Sequence, residues 1–178
     1  MNIHDTALVV IDVQEKLFRF MNEKEMLVKN LQKLIRGALL IDIPIILTEQ
    51  YPDGLGPTIA EVAELMPKVN RIPKLSFSCC GEEHFLREVH TLNRKQIIIV
   101  GIETHVCVYQ TAADLLNLGY QVQIVADCVS SRTSFNTTVA LERMKTEGVI
   151  LTSTEMVLFE LLKTAENANF KEFQRIIK

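Results

Sequence analysis

The sequence predicts an α/β protein: a three-layer αβα doubly wound sheet of six strands, mostly parallel, in the order 3-2-1-4-5-6. Three observations lead there. Short, uninterrupted apolar runs alternate with stretches of helical periodicity along the whole chain, as expected when strands are buried on both faces by helices. Glycines follow two of the helical stretches, Gly119 and Gly148, at positions where helices stop. No internal repeat and no linker-like break divides the 178 residues, so residues 1–178 read as one domain.

The first strand is Thr6–Asp12, an apolar run closed by a charge. Asn22-Glu-Lys-Glu25 has the form of a capping box ahead of a helix over Met26–Leu40, whose Leu27, Leu31, Leu34, Ile35 and Leu39 recur at spacings of three and four. Ile43–Thr48 is the second strand, with Pro44 near its start, where a missing donor is tolerated. The segment Glu49–Lys68, containing Tyr51-Pro-Asp-Gly-Leu-Gly-Pro57, is predicted to be irregular, and long loops often carry function. Val69–Ile72, Gln96–Gly101, Gln121–Asp127 and Val149–Thr152 supply the remaining strands. Helices are expected over Glu82–Leu92, Val106–Leu118, Thr137–Thr146, Thr154–Leu162 and Asn169–Ile177.

Charge narrows the partners. Nineteen Lys and Arg against 22 Asp and Glu give a net charge of -3 without a basic stripe, which argues against nucleic acid and anionic membrane surfaces. No apolar run approaches the roughly 20 residues of a membrane span, and no export signal precedes Thr6, so a cytoplasmic protein is expected. In a reducing compartment Cys79, Cys80, Cys107 and Cys128 are thiols; none has CxxC spacing, and adjacent Cys79 and Cys80 are poorly placed for a disulfide.

Ligands of doubly wound sheets sit beyond the carboxyl ends of the strands, where strand order reverses. In the order 3-2-1-4-5-6 the first and fourth strands meet there, which sets Asp12 and Cys107 across one crevice with Lys74 entering from the flank. Cys107 falls in the first turn of a helix, whose free N–H groups and positive end favour thiolate and suit an oxyanion. A neighbouring lysine acts in the same sense. Each residue alone has a structural reading: Cys107 as a small buried hydrophobe, Asp12 as the cap of a turn, Lys74 as a solvated cation. Nucleophile, acid/base and cation at three strand ends favour chemistry. Tyr51 and Phe77 are candidate pocket walls, and Gln14 and Gln50 candidate hydrogen-bond partners of a substrate. Thr104, His105, Asp127 and Arg132 are read as structural, and Cys79, Cys80 and Cys128 as non-catalytic.

Rival chemistries fail at named positions. A C-x5-R phosphatase needs Arg where Ala113, Leu86 or Ser134 stands, and a haloacid-dehalogenase-type site needs an acid at Gln14. Gly54-Leu-Gly56 lacks the third glycine and the preceding strand of a dinucleotide fingerprint. His4, His84, His90 and His105 lack paired ligand spacing, so neither metal nor cofactor is expected.

Four blocks, Ala7-Leu-Val-Val-Ile-Asp-Val-Gln14, Pro73-Lys-Leu-Ser-Phe-Ser78, Gly101-Ile-Glu-Thr-His-Val-Cys-Val-Tyr-Gln-Thr-Ala112 and Ala126-Asp-Cys-Val-Ser-Ser-Arg132, together resemble the isochorismatase-like cysteine hydrolase superfamily. Thr48–Thr58 is similar to its isochorismatase-domain-containing and YcaC-like branch. The resemblance implies a triad of Asp12, Lys74 and Cys107. In it the thiolate attacks a carbon centre, usually an amide carbonyl, while the aspartate moves the proton to the leaving amine and then activates water. It also implies a cis peptide at Ile102–Glu103 that turns the backbone N–H groups of Glu103 and Cys107 toward an oxyanion. Glu49-Gln-Tyr51 stands where nicotinamidases carry an Asp-x-His metal motif, and isochorismatases proper lack the cysteine, so the substrate stays open. The expectation is a metal-independent cysteine hydrolase cleaving a C–N bond in a small molecule through a thioester. The alternatives are a silent binding or scaffold protein on the same fold and, less favoured without CxxC spacing, a thiol redox protein. Relatives commonly form dimers or larger rings, so a homo-oligomer is expected.

Overall fold

All of residues 1–178 are described by a computed structural model. The chain opens with β1 (Thr6–Ile11), a single turn α1 (Glu15–Phe18), α2 (Lys24–Leu40) and β2 (Ile45–Gln50). Two more single turns, α3 (Pro52–Leu55) and α4 (Ala60–Ala63), precede β3 (Arg71–Lys74), α5 (Glu83–Leu92) and β4 (Gln96–Ile102). Then come α6 (Tyr109–Asn117), β5 (Gln121–Ser130), α7 (Ser134–Thr146), β6 (Ile150–Thr152), α8 (Thr154–Leu162) and α9 (Phe170–Ile177).

The strands form one sheet in the order β3-β2-β1-β4-β5-β6, and every pairing is parallel. Successive side chains of a strand point to opposite faces, so β1, buried throughout, feeds two cores. Leu8 and Val10 pack with Leu31, Leu34 and Ile35 of α2, Leu158 and Leu161 of α8, and Phe173 of α9. Ala7, Val9 and Ile11 pack with Phe85 and Val89 of α5, Leu115 of α6 and Met144 of α7. These two apolar layers make the three-layer architecture that the alternating pattern predicts.

Several boundaries differ from the sequence reading for local reasons. The capping box does not form. Glu23, left-handed, precedes α2 without a side-chain bond, because Asn22 is tied to the end of β5 through its N–H to Ser131 O and its carbonyl from Ser130 Oγ. α7 starts at Ser134, where Thr133 Oγ1 accepts from Asn136 N; its first turn carries exposed Phe135 and leaves no apolar signature. β3 runs through Pro73 to Lys74, which an edge strand tolerates because the absent N–H faces no partner strand. β5 continues past Asp127 to Ser130, across a register shift opposite Ile99–Gly101. The helix expected at Val106 begins as a π turn over Thr104–Val108.

Two strand backbones approach closely at the switch point. Gly101 of β4 pairs with Ile11 of β1 at φ +119°, and a Cβ added there would lie 2.1 Å from Ile11 O. Neither the conformation nor the space admits a side chain. Gly101→Ala is therefore expected to destabilise the fold by well over about 1 kcal/mol, since β1 and β4 must part; urea denaturation checks this, and an unchanged midpoint would contradict it.

Candidate active site

Asp12 follows β1 in a left-handed conformation (φ 52°), which aspartate tolerates better than bulkier residues. That turn aims its carboxylate along the strand ends, where no part of it is exposed. Oδ1 accepts from Thr48 Oγ1 at 2.7 Å, and Oδ2 accepts from Lys74 Nζ at 2.6 Å. Lys74 Nζ also donates to Gln50 Oε1 at 2.7 Å, Phe77 O at 3.0 Å and Ser76 O at 3.2 Å. Both side chains of this ion pair have zero solvent exposure. Burial acts to lower the Lys74 pKa, but the Asp12 charge leads a set of attractions that carry it above the ordinary lysine value. The ammonium is thus held charged.

Cys107 lies buried in the π turn after β4, facing the same pair. Desolvation above all, and then the Asp12 charge, push its thiol far above the ordinary range, against the pull of Lys74. Burial and the Asp12 charge thus oppose the thiolate that Lys74 favours. A thiol beside a carboxylate is a proton donor beside an acceptor.

The amide side chains are engaged by the protein itself. Gln14, fully buried, donates to Gln50 O at 2.9 Å and Gly56 O at 2.7 Å, and its Oε1 accepts from Gln50 N. Gln50 Nε2 donates to Leu75 O while its oxygen holds Lys74. Tyr51 and Phe77, both more than half exposed, stand at the rim of this region. Tyr51 also lines a depression of about 440 Å³ with Pro52, Pro73, Lys74, Leu75 and Glu82.

On the opposite flank the Ile102–Glu103 peptide is cis. The Glu103 carboxylate accepts from Arg132 Nε at 3.1 Å and Nη2 at 3.0 Å, and His105 Nδ1 meets Ser131 Oγ at 2.9 Å. These two contacts fasten the turn after β4 to the turn after β5. Asp127 Oδ1 accepts from Thr154 N and Oγ1 at the start of α8. No three His, Cys, Asp or Glu side chains converge as metal ligands, and no helix is long and apolar enough to cross a membrane.

One neighbour carries no signal in the sequence. Cys79 is fully buried, with Sγ 3.8 Å from Thr48 Oγ1 and its N–H donating to Thr111 Oγ1 at 2.9 Å. Burial, followed by the Asp12 charge, raises its thiol to about 11. It meets the site across β2 and α6, so only the tertiary fold reveals it. Cys80 is likewise raised by burial, to about 12, and Cys128 packs against Thr154 elsewhere. All four cysteines are free.

Fold and site together define an α/β protein of the isochorismatase-like hydrolase kind, with its polar machinery at the switch point of the sheet. The chain belongs to the isochorismatase domain family, whose model matches residues 6–156. Isochorismatase domain-containing protein 2 of Danio rerio is 40% identical over 97% of this chain and 86% of its own length. A secreted isochorismatase effector of Phytophthora sojae is 36% identical over 98% of this chain and 85% of its own. Among solved structures, the MAR1 ribonuclease of Caenorhabditis elegans superposes with a TM-score of 0.94 at 35% identity, covering 99% of this chain and 91% of that one. YcaC of Pseudomonas aeruginosa, with hexane-2,5-diol and covalent acrylamide, superposes with a TM-score of 0.95 at 26% identity, covering 99% and 89%.

Two stability measurements follow from the buried charges. Lys74→Met leaves the Asp12 carboxylate uncompensated and is expected to cost about 3–5 kcal/mol in urea denaturation at neutral pH. Because the folded Cys79 thiol sits at about 11, above its unfolded value of about 8.5, its contribution is complete below the unfolded value. It is lost as pH rises toward the folded one, because the unfolded chain releases its proton first. Between pH about 8.5 and 11, Cys79→Ala should lose stability less steeply than the parent chain.

Proposed function

We propose that this protein is a metal-independent cysteine hydrolase that cleaves the C–N bond of a small amide-type substrate through a thioester. Cys107 is the nucleophile, Asp12 the acid/base and Lys74 the cation that keeps Asp12 ionised between proton transfers. The observation that carries the reading is the buried Asp12–Lys74 pair beside Cys107, whose thiol burial and the Asp12 charge push up.

Since the thiol is protonated at rest, attack and proton transfer run together. Cys107 Sγ bonds to the carbonyl carbon as its proton passes to Asp12, and negative charge moves onto the carbonyl oxygen, toward the backbone N–H groups of Glu103 and Cys107. Collapse breaks the C–N bond, and Asp12 hands its proton to the leaving amine. Water then attacks the thioester carbonyl, giving a proton to Asp12, which returns it to the departing sulfur. Tyr51 and Phe77 meet the substrate at the rim, while Gln14 and Gln50, whose amides are engaged by the protein itself, hold the frame beneath it.

The acrylamide bound covalently by Pseudomonas aeruginosa YcaC supports amide-sized electrophiles as visitors to such a site. The ribonuclease name of the Caenorhabditis elegans protein suggests a phosphodiester instead. Here Lys74 and Arg132 are both paired with carboxylates, and the net charge is -3, so a phosphate track gains little from either. We assign the four free thiols to a cytoplasmic protein, although one relative is secreted. Exposed Phe135, Val139, Met156 and Phe159 supply apolar surface for self-association.

Cys107→Ala should abolish turnover across a panel of small amides, hydantoins, thioesters and esters while keeping the parent circular dichroism. Asp12→Asn should lose at least about a hundredfold. Hydrolysis by Cys107→Ala at the parent rate would refute the assignment. Binding without turnover by the parent chain across the whole panel would favour the silent-binder reading.

A further inference from the structure

Asp12 has two carboxylate oxygens, and the second is served by a residue to which the mechanism above gives no part. Thr48, on β2, is fully buried, and its one hydroxyl proton points to Asp12 Oδ1 at 2.7 Å. Behind it Cys79 Sγ lies at 3.8 Å in donating geometry, so a thiol supplies the hydroxyl from the rear. Cys79 is itself pinned by its N–H to Thr111 Oγ1 at 2.9 Å, and that hydroxyl donates to Cys107 O at 2.7 Å. One chain of bonds runs from Cys79 through Thr48 to the carboxylate. A second runs from Cys79 through Thr111 to the backbone of the nucleophile.

We propose that Thr48, backed by Cys79, is a positioning residue that fixes the plane of the Asp12 carboxylate against Cys107 and sets its readiness to take the thiol proton. This rests on the reading of Asp12 as the base. The direction of the chain follows from the donors. A hydroxyl has a single proton, and one that accepts from a thiol behind it directs that proton forward. The Cys79 thiol keeps its proton through the neutral range, so it remains a donor throughout. A donor to the charged form of a carboxylate favours that form. The charged and titratable groups that face Asp12 are Lys74 from β3, Cys107 from the π turn and Cys79 from the turn before α5, with Thr48 the uncharged fourth partner. The two chains also explain why a buried, unreactive cysteine stands beside a catalytic one: it holds base and nucleophile in one frame.

The test reads the rate of Cys107 alkylation by iodoacetamide against pH on the full chain, followed residue by residue by peptide mass spectrometry. This needs no knowledge of the substrate. Thr48→Val should move the acidic limb of the profile to higher pH by about one unit, the scale of one lost hydrogen bond to a charged group. Thr48→Ser, which keeps the hydroxyl, should restore the parent profile. Cys79→Ala should move the limb in the same direction by less. Thr48→Ala removes the same proton without the added methyl and is judged by the same criterion, so poor folding of the valine variant does not decide the matter. A Thr48→Val or Thr48→Ala profile superimposable on the parent overturns the proposal, as does a Thr48→Ser shift equal to that of Thr48→Val. Asp12→Asn separates the two levels. If it leaves the profile unmoved, Asp12 is not the base and both readings fall. If it moves the profile while the Thr48 variants do not, only the positioning role falls.

Discussion

Two opposite charges without solvent contact, Asp12 and Lys74, organise this end of the molecule. Removing two ions from water costs several kcal/mol each, and their attraction offsets that cost only when their remaining hydrogen-bonding positions are also filled. The chain fills them from every side. Thr48 of β2 serves one carboxylate oxygen, Gln50 of the same strand accepts from the ammonium, and the carbonyls of Ser76 and Phe77 curl over it. The path of the backbone after β3, the reach of β2 to Gln50 and the left-handed turn at Asp12 all serve that one requirement. Gln14 extends it outward by bonding to the backbone of Gln50 and Gly56, so the Tyr51–Thr58 segment is braced against the sheet.

The same burial acts on Cys107. A nearby lysine argues for a thiolate, but desolvation and the Asp12 carboxylate outweigh it at Cys107. In the proposed reaction the thiol and the carboxylate act as donor and acceptor, and charge separates as the carbon centre is attacked. Glu103 with Arg132, and His105 with Ser131, hold the neighbouring turn to the end of β5. Cys107 is thereby carried by a segment tied to the end of β5.

Much of this was legible in the chain. The continuous apolar runs of β1, β4 and β5 marked a sheet covered on both faces, and their alternation with helical patterns led to the parallel sheet observed, whose order is the doubly wound one expected. Asp12, Lys74 and Cys107 stood out because each follows, or ends, a strand on one side of that sheet. What stayed hidden depends on contacts between distant segments. Asn22 looked like a cap, but it is held by Ser130 and Ser131, more than a hundred residues away. Gln14 and Gln50 read as ligands for a substrate, yet their amides are engaged by backbone and lysine. Cys79 had no spacing relation to Cys107, since their link passes through the Thr111 hydroxyl. Local pattern reports periodicity and caps; it is silent about which buried polar group completes another.

The contact between Gly101 and Ile11 has a consequence for how such a chain can vary over time. Because β1 and β4 touch backbone to backbone there, Asp12 and Cys107 are placed by counting residues outward from one shared point. Inserting or deleting a residue between Ile11 and Asp12, or between Gly101 and Cys107, would turn one side chain away from the other with no slack to absorb it. Changes of length are better accommodated in exposed turns away from that point, such as residues 163–166 after α8. Substitutions at the rim can then alter what the crevice admits while the register beneath it stays fixed.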